Sequence, residues 1–180
     1  MRHVLYTVWI QTKYWLIFMN ISAMITGAIL VRFEAVLAQV IVLVSYLPLL
    51  MSTGGNSGSQ ASTLIIRGMA TDEIDLKDVL KVTWKEFRVS IILGVSLSLI
   101  NMAKVLIIDR ESMAIALTVA ISMVIIVIFA KLLGSLLPMA AKKLGIDPAL
   151  MANPMISSLT DMFSTVVYML IAAMFLGIAL

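Results

Sequence analysis

The sequence predicts an all-α, polytopic membrane protein with five transmembrane helices per subunit, and three observations carry that expectation. Hydrophobic residues fill 62% of the 180 positions and charged residues only 13%, against a soluble norm of roughly 45–50% and about 25%. The apolar excess is too large for the surface that one soluble domain of this length exposes, and mean hydropathy is +1.09. The remaining charges fall at a few places, and the gaps between them match the roughly 20 residues a helix needs to cross the hydrocarbon core.

The first span, about 14–33, follows Lys13 and is apolar up to Arg32. It lacks a convincing small-residue cleavage site, so it reads as a retained helix and not a signal peptide. Tyr6, Trp9, Tyr14 and Trp15 fit an aromatic belt at its inner interface. The second span, about 35–66, is uncharged as far as Arg67, although its later half is polar. The third, about 87–108, contains Lys104, close enough to one end for its stem to snorkel to the headgroups. The fourth, about 112–138, carries Lys131 near its end, and the fifth, about 148–179, holds a single charge, Asp161. Together they make one transmembrane domain, 1–180, with no linker or internal repeat.

The sizeable connection, 72–88, places Leu76, Val79, Leu80, Trp84 and Phe87 at three- and four-residue steps beside Lys77, Lys81, Lys85 and Glu86. That spacing predicts an amphipathic helix on the cytoplasmic face, capped by Thr71 or Asp72 and supported by a Glu73–Lys77 pair. Basic residues set the orientation. With the N-terminus cytoplasmic, Arg2, Lys13, Arg67, Lys77, Lys81, Lys85, Arg88, Lys131, Lys142 and Lys143 lie inside and only Arg32, Lys104 and Arg110 outside. Five spans then leave the C-terminus outside, in a multi-pass protein of the cell (inner) membrane.

Composition also narrows the chemistry. The absence of Cys removes thiolate metal sites, and the single His3 removes most His-based catalysis. No Walker A lysine is present, and Gly55-Asn56-Ser57-Gly58 lacks the order of a serine nucleophile elbow, so the chain does not read as an enzyme. A net charge of +3, dispersed, points to no nucleic-acid partner. The 14 Met residues are scattered without paired spacing and read as adaptable packing.

Two segments carry polar residues that lipid disfavours. In the second span, Pro48 precedes Ser52-Thr53-Gly54-Gly55-Asn56-Ser57-Gly58-Ser59-Gln60. Thr53, Asn56, Gln60 and Thr63 form a polar stripe if the helix continues; if it unwinds at the glycines, backbone carbonyls are freed instead. Either state requires water or protein partners, since unsatisfied backbone in hydrocarbon is costly. Gly54 and Gly58 also form a G-x-x-x-G packing pattern, which accounts for the glycines but not for Asn56 and Gln60.

In the fifth span, Asp147-Pro148 suits a helix start, and Asn153-Pro154 suggests a break. Asn153, Ser157, Asp161, Ser164 and Tyr168 then follow one helix face. An aspartate near mid-bilayer costs about 2.5–3.5 kcal/mol on insertion scales, so it normally faces protein or water. An ion pair with Lys104 or Lys131 is one explanation for Asp161. A hard-cation site is another: Mg²⁺ prefers oxygen ligands, keeps several waters and needs only one or two carboxylates. Na⁺ or a proton fits the same residues.

Phe33-Glu34-Ala35-Val36-Leu37-Ala38-Gln39, the run from Pro48 through Gly54-Gly55-Asn56-Ser57-Gly58-Ser59-Gln60 to Arg67-Gly68, and Leu144-Gly145-Ile146-Asp147-Pro148-Ala149 through Asn153-Pro154 to Thr160-Asp161 resemble, in order, the transmembrane domain of the MgtE family of magnesium channels. The resemblance implies a homodimer with a cation pore at its two-fold axis, lined by the second and fifth helices. It implies that Asp161 is the main Mg²⁺-binding carboxylate, with the Ser157 carbonyl, Asn153, Asn56 and the Gly54-Gly55 backbone along the path of a partly hydrated ion. Thr53, Gln60 and Ser164 complete the expected lining, and Mg²⁺ is the expected bound and transported ion, with no organic substrate. Typical members add a cytoplasmic N-terminal domain and paired CBS domains, whereas about 13 residues precede the first span here. Two rival expectations are a Na⁺- or H⁺-coupled divalent metal carrier with helices broken at Pro48 and Pro154, and a non-transporting membrane subunit that docks through 72–88.

Overall fold

The computed structural model describes the backbone of residues 2–178 and the side chains of residues 13–178. The side chains of Tyr6 and Trp9, expected in the aromatic belt, and residue 179 at the end of the fifth span lie outside what is described. The described chain is helical with no strand: α1 (Arg2–Arg32), α2 (Glu34–Gln39), α3 (Leu43–Ala70), α4 (Val79–Ala103), α5 (Met113–Lys143) and α6 (Pro148–Leu176). Among the described residues, four stretches are long and apolar enough to cross a membrane: Lys13–Arg32, Leu76–Ile108, Met113–Lys143 and Pro148–Leu176. At 28 residues, α3 extends ~42 Å and has the length, but its polar run keeps it out of that set.

The most apolar helix, α5, occupies the centre and packs against α3, α4 and α6, while α1 lies on α6. At the end where α1 leads into α3, the core gathers Val36, Leu43, Leu50, Val105, Val119, Met123, Tyr168 and Met169. There the Tyr168 hydroxyl donates to the Leu43 carbonyl at 3.1 Å. At the opposite end, Ile65, Met69 and Met139 form a smaller core with Ile74, Val79 and Val82.

Several local expectations change. The second segment is not one helix from residue 35: α2 stops at Gln39 and α3 begins at Leu43. Between them Val40 is extended (φ −136°, ψ 78°). Val40-Ile41-Val42 is a β-branched run, whose restricted χ1 rotamers weaken the helix. Once started, α3 does not unwind at its glycines, and both Pro48 and Pro154 sit inside unbroken helices. Each proline forfeits one backbone bond, which packing on α5 evidently outweighs.

The amphipathic segment is not a separate interfacial helix. After a 3₁₀ turn at Leu76–Asp78, α4 runs from Val79 into the apolar region, because no Gly or Pro separates Phe87 from the following span. Thr71 instead ends α3, and Asp72 takes a left-handed φ of 57°. Asp75 and Asp78 form the reciprocal cap, and the local ion pair is Lys81–Asp78 at 3.0 Å in place of Glu73–Lys77. Glu86, expected on the polar face, is buried, as is Lys131. They pair with each other at 3.2 Å, so Lys131 is an interior residue of α5 and does not belong to a loop.

Lys104 does reach its end of the bundle. The last turn of α4 widens into a π turn at Lys104–Ile108, and Lys104 Nζ donates to Asp109 at 2.6 Å while Tyr46 Oη donates to the same carboxylate at 2.8 Å. These bonds, the Lys104 one first, hold the Asp109 carboxyl below the usual carboxylate range. A depressed carboxylate pKa stabilises the fold above the unfolded-state pKa, near 3.9, and that contribution fades as pH falls through the folded value. Asp109→Asn should therefore melt earlier than the parent at neutral pH, with the gap closing in acid; thermal unfolding in detergent at several pH values measures this.

Candidate functional site

The polar residues of α3 and α6 meet in an open groove of about 450 Å³ lined by Pro48, Met51, Ser52, Gly55, Asn56, Ser59, Ser157 and Asp161. It continues along α3 past Asn56 and Ser59 to Gln60 and Thr63. Helical geometry explains the assembly. Ser52, Asn56 and Ser59-Gln60 recur every three or four residues and share one face of α3. The opposite face carries Gly54, Ser57, Gly58, Ala61 and Ser62, all buried.

That buried face is where the G-x-x-x-G pattern acts. A Cβ on Gly54 would fall 2.5 Å from Thr160 Cγ2 and 2.7 Å from Ile126 Cγ2, and one on Gly58 would fall 2.9 Å from the Ala130 carbonyl. Only glycine lets α3 approach α5 and α6 this closely, as in other small-residue membrane seams. A Cβ on Gly55 meets nothing, because Gly55 faces the groove.

On α6, the Asp147 carboxylate accepts from the Ala149 amide at 2.9 Å and fixes the start of the helix, as Asp147-Pro148 foretold. From there Asp161 lies ~19 Å along the axis, near mid-helix. Its carboxylate forms no ion pair or hydrogen bond among the described residues. Lys104 is engaged by Asp109 and Lys131 by Glu86, which removes the two cations considered for it. Asn56 Nδ2 donates to Ser52 Oγ at 3.4 Å, a long bond within its own helix, and Thr63 donates back to the Ser59 carbonyl at 2.9 Å. The groove thus presents a carboxylate and neutral oxygen dipoles with no nitrogen base or sulfur nucleophile.

The expected lining divides. Asp161, Ser157, Asn56 and Gly55 share the groove, and Gln60 lies in its extension. Gly54 is in the packing seam, and Ser164 is buried beside it. Thr53 and Asn153 do not line the groove; Asn153 is exposed one turn nearer the start of α6 than Ser157. Ser52, Ser59, Met51 and Pro48 line it although none was expected as lining; Ser52 and Ser59 were readable as neighbours of Asn56 on its own face. No cluster of three or more His, Cys, Asp or Glu is present among the described residues, and Asp161 is the one carboxylate that lines this groove.

The MgtE family model, described as a divalent cation transporter, matches residues 47–171, which take in both walls of the groove. The chain belongs to the MgtE family. Among its relatives, the magnesium transporter MgtE of Thermus thermophilus is 40% identical over 93% of this chain and 37% of the relative. The Bacillus subtilis magnesium transporter MgtE is 33% identical over 90% of this chain and 36% of the relative, and that of Enterococcus faecalis is 27% identical over similar shares. The chain therefore spans little more than a third of these MgtE proteins. Family membership, with four stretches among the described residues long and apolar enough to cross a membrane, makes it a multi-pass membrane protein.

Proposed function

We propose that the chain forms a Mg²⁺-selective channel, working as a homodimer that conducts partly hydrated ions along the α3–α6 groove. The observation that carries this reading is the convergence of unpaired Asp161 with Ser157, Ser52, Asn56 and the Gly55 backbone in one open groove. Mg²⁺ gives up its water reluctantly, so a wide oxygen-lined path with a carboxylate suits it better than a tight cage. In this reading α3 is the fifth spanning helix, its polar face kept from lipid by a second subunit, and the two Asp161 carboxylates face each other across the axis. Their mutual repulsion is relieved best by a divalent ion. The N-terminus is cytoplasmic and the C-terminus outside; without Lys131, nine basic residues still lie inside against three outside. Mg²⁺ is cargo here, and neither catalysis, nucleic acid nor a small organic substrate has a part.

The unbroken α3 and α6 remove the discontinuous helices on which a coupled carrier was argued. Proteoliposomes containing only this chain should take up Mg²⁺ down its gradient, with the same initial rate whether or not a Na⁺ or H⁺ gradient is imposed. Uptake that requires either gradient would replace the channel with a carrier, and no uptake would reduce the chain to a non-transporting subunit.

A further inference from the structure

At the end of the bundle away from Asp109, the start of α4 and the last turns of α5 leave an open groove of about 420 Å³. Leu76, Val79, Leu136, Met139 and Ala140 make its walls, and the only polar lining residues are the exposed lysines Lys77 and Lys143. Among the described residues, the three ion pairs employ Lys81, Lys104 and Lys131, which leaves these two lysines without a carboxylate. Lys142 donates to the Met69 carbonyl at 3.1 Å, and Met139 packs on Ile65 and Met69, so the α5 wall is anchored to α3.

The polar and apolar parts are ordered along the bundle axis. Leu136 lies ~10 Å deeper along α5 than Lys143, and on the other wall Val79 lies deeper than Lys77. Two cations at the membrane surface above an aliphatic trough match an amphiphile with an anionic head and a hydrocarbon tail. We propose that this groove is a binding site for one anionic phospholipid of the adjoining leaflet. Its phosphate lies between Lys77 and Lys143, and an acyl chain runs along Leu76, Val79, Leu136 and Ala140. A free anion would leave the trough unfilled, and a zwitterionic lipid would leave the pair of lysines uncompensated. The site shares no residue with the Asp161 groove, so it stands or falls apart from the cation reading.

Native mass spectrometry of the intact chain in detergent, titrated with phosphatidylglycerol or phosphatidylcholine, tests it. Phosphatidylglycerol should be retained at one molecule per subunit, and Lys77→Ala with Lys143→Ala should weaken it roughly 30-fold, to the level of phosphatidylcholine. Ala140→Trp, which fills the trough and keeps both lysines, should weaken it comparably. Equal retention of the two lipids by the parent, or undiminished phosphatidylglycerol on either variant, would overturn the assignment. Displacement by equimolar inorganic phosphate would also overturn it, by making the site one for a free anion.

Discussion

In the proposed channel, replacing Asp161 with Asn should lower Mg²⁺ flux into proteoliposomes at least 100-fold while leaving folding and the proposed dimer intact. The substitution keeps shape and removes only charge. A divalent ion ~5 Å from a carboxylate, with one water between them, gains on the order of 6–7 kcal/mol at an effective dielectric near 20, and forfeiting even half of that exceeds two decades in rate. The other polar side chains lining the groove, Ser52, Asn56, Ser59 and Ser157, are neutral dipoles that orient water but supply no net charge. Ser157→Ala should accordingly cost far less, within about tenfold. A Mg²⁺-sensitive dye inside the vesicles reads both rates, and chemical cross-linking reads the dimer. Flux through Asp161→Asn within twofold of the parent would eliminate Asp161 as the conducting carboxylate.

The spacing of residues made part of this groove legible. On a helix, positions 157 and 161 stand about 40° apart and positions 52, 56 and 59-60 share a face, so meeting of the two polar faces required only that α3 and α6 be neighbours. The same geometry separates Gly54 from Asn56 by about 200°, so once Gly54 enters a seam Asn56 must face away from it; treating the whole Gly54-Gly55-Asn56 string as lining ignored that angle. Ser164 is a similar case, rotated about 60° from Asp161 towards the buried side. The all-helical class and the apolar helices were legible from composition and charge spacing. The interruption at Val40 was harder to see, because three β-branched residues in an apolar run look alike in hydropathy whether the helix continues or stops.

The Glu86–Lys131 pair was invisible to local reading because its partners are 45 residues apart. Glu86 lay among three lysines in an amphipathic pattern, where solvent exposure was the natural inference. The pair is a buried charged contact of the α4–α5 interface. Besides Glu86, the α4 residues buried in the structure are Ser90, Gly94 and Ser98, and a Cβ on Gly94 would fall 3.2 Å from Val124 Cα. Such a seam of small residues relies on close van der Waals packing, since lipid supplies no hydrophobic drive between helices. The ion pair adds one directional contact between α4 and α5, at 3.2 Å, and is the candidate for setting their register. Glu86→Gln or Lys131→Met alone strands one buried charge and should lower unfolding free energy by about 3–5 kcal/mol, whereas Glu86→Leu with Lys131→Met together should cost less than either single change. Denaturant titration in mixed micelles, followed by tryptophan fluorescence, measures the three variants. Simply additive losses would mean that the two residues stabilise the bundle independently and that register is set elsewhere.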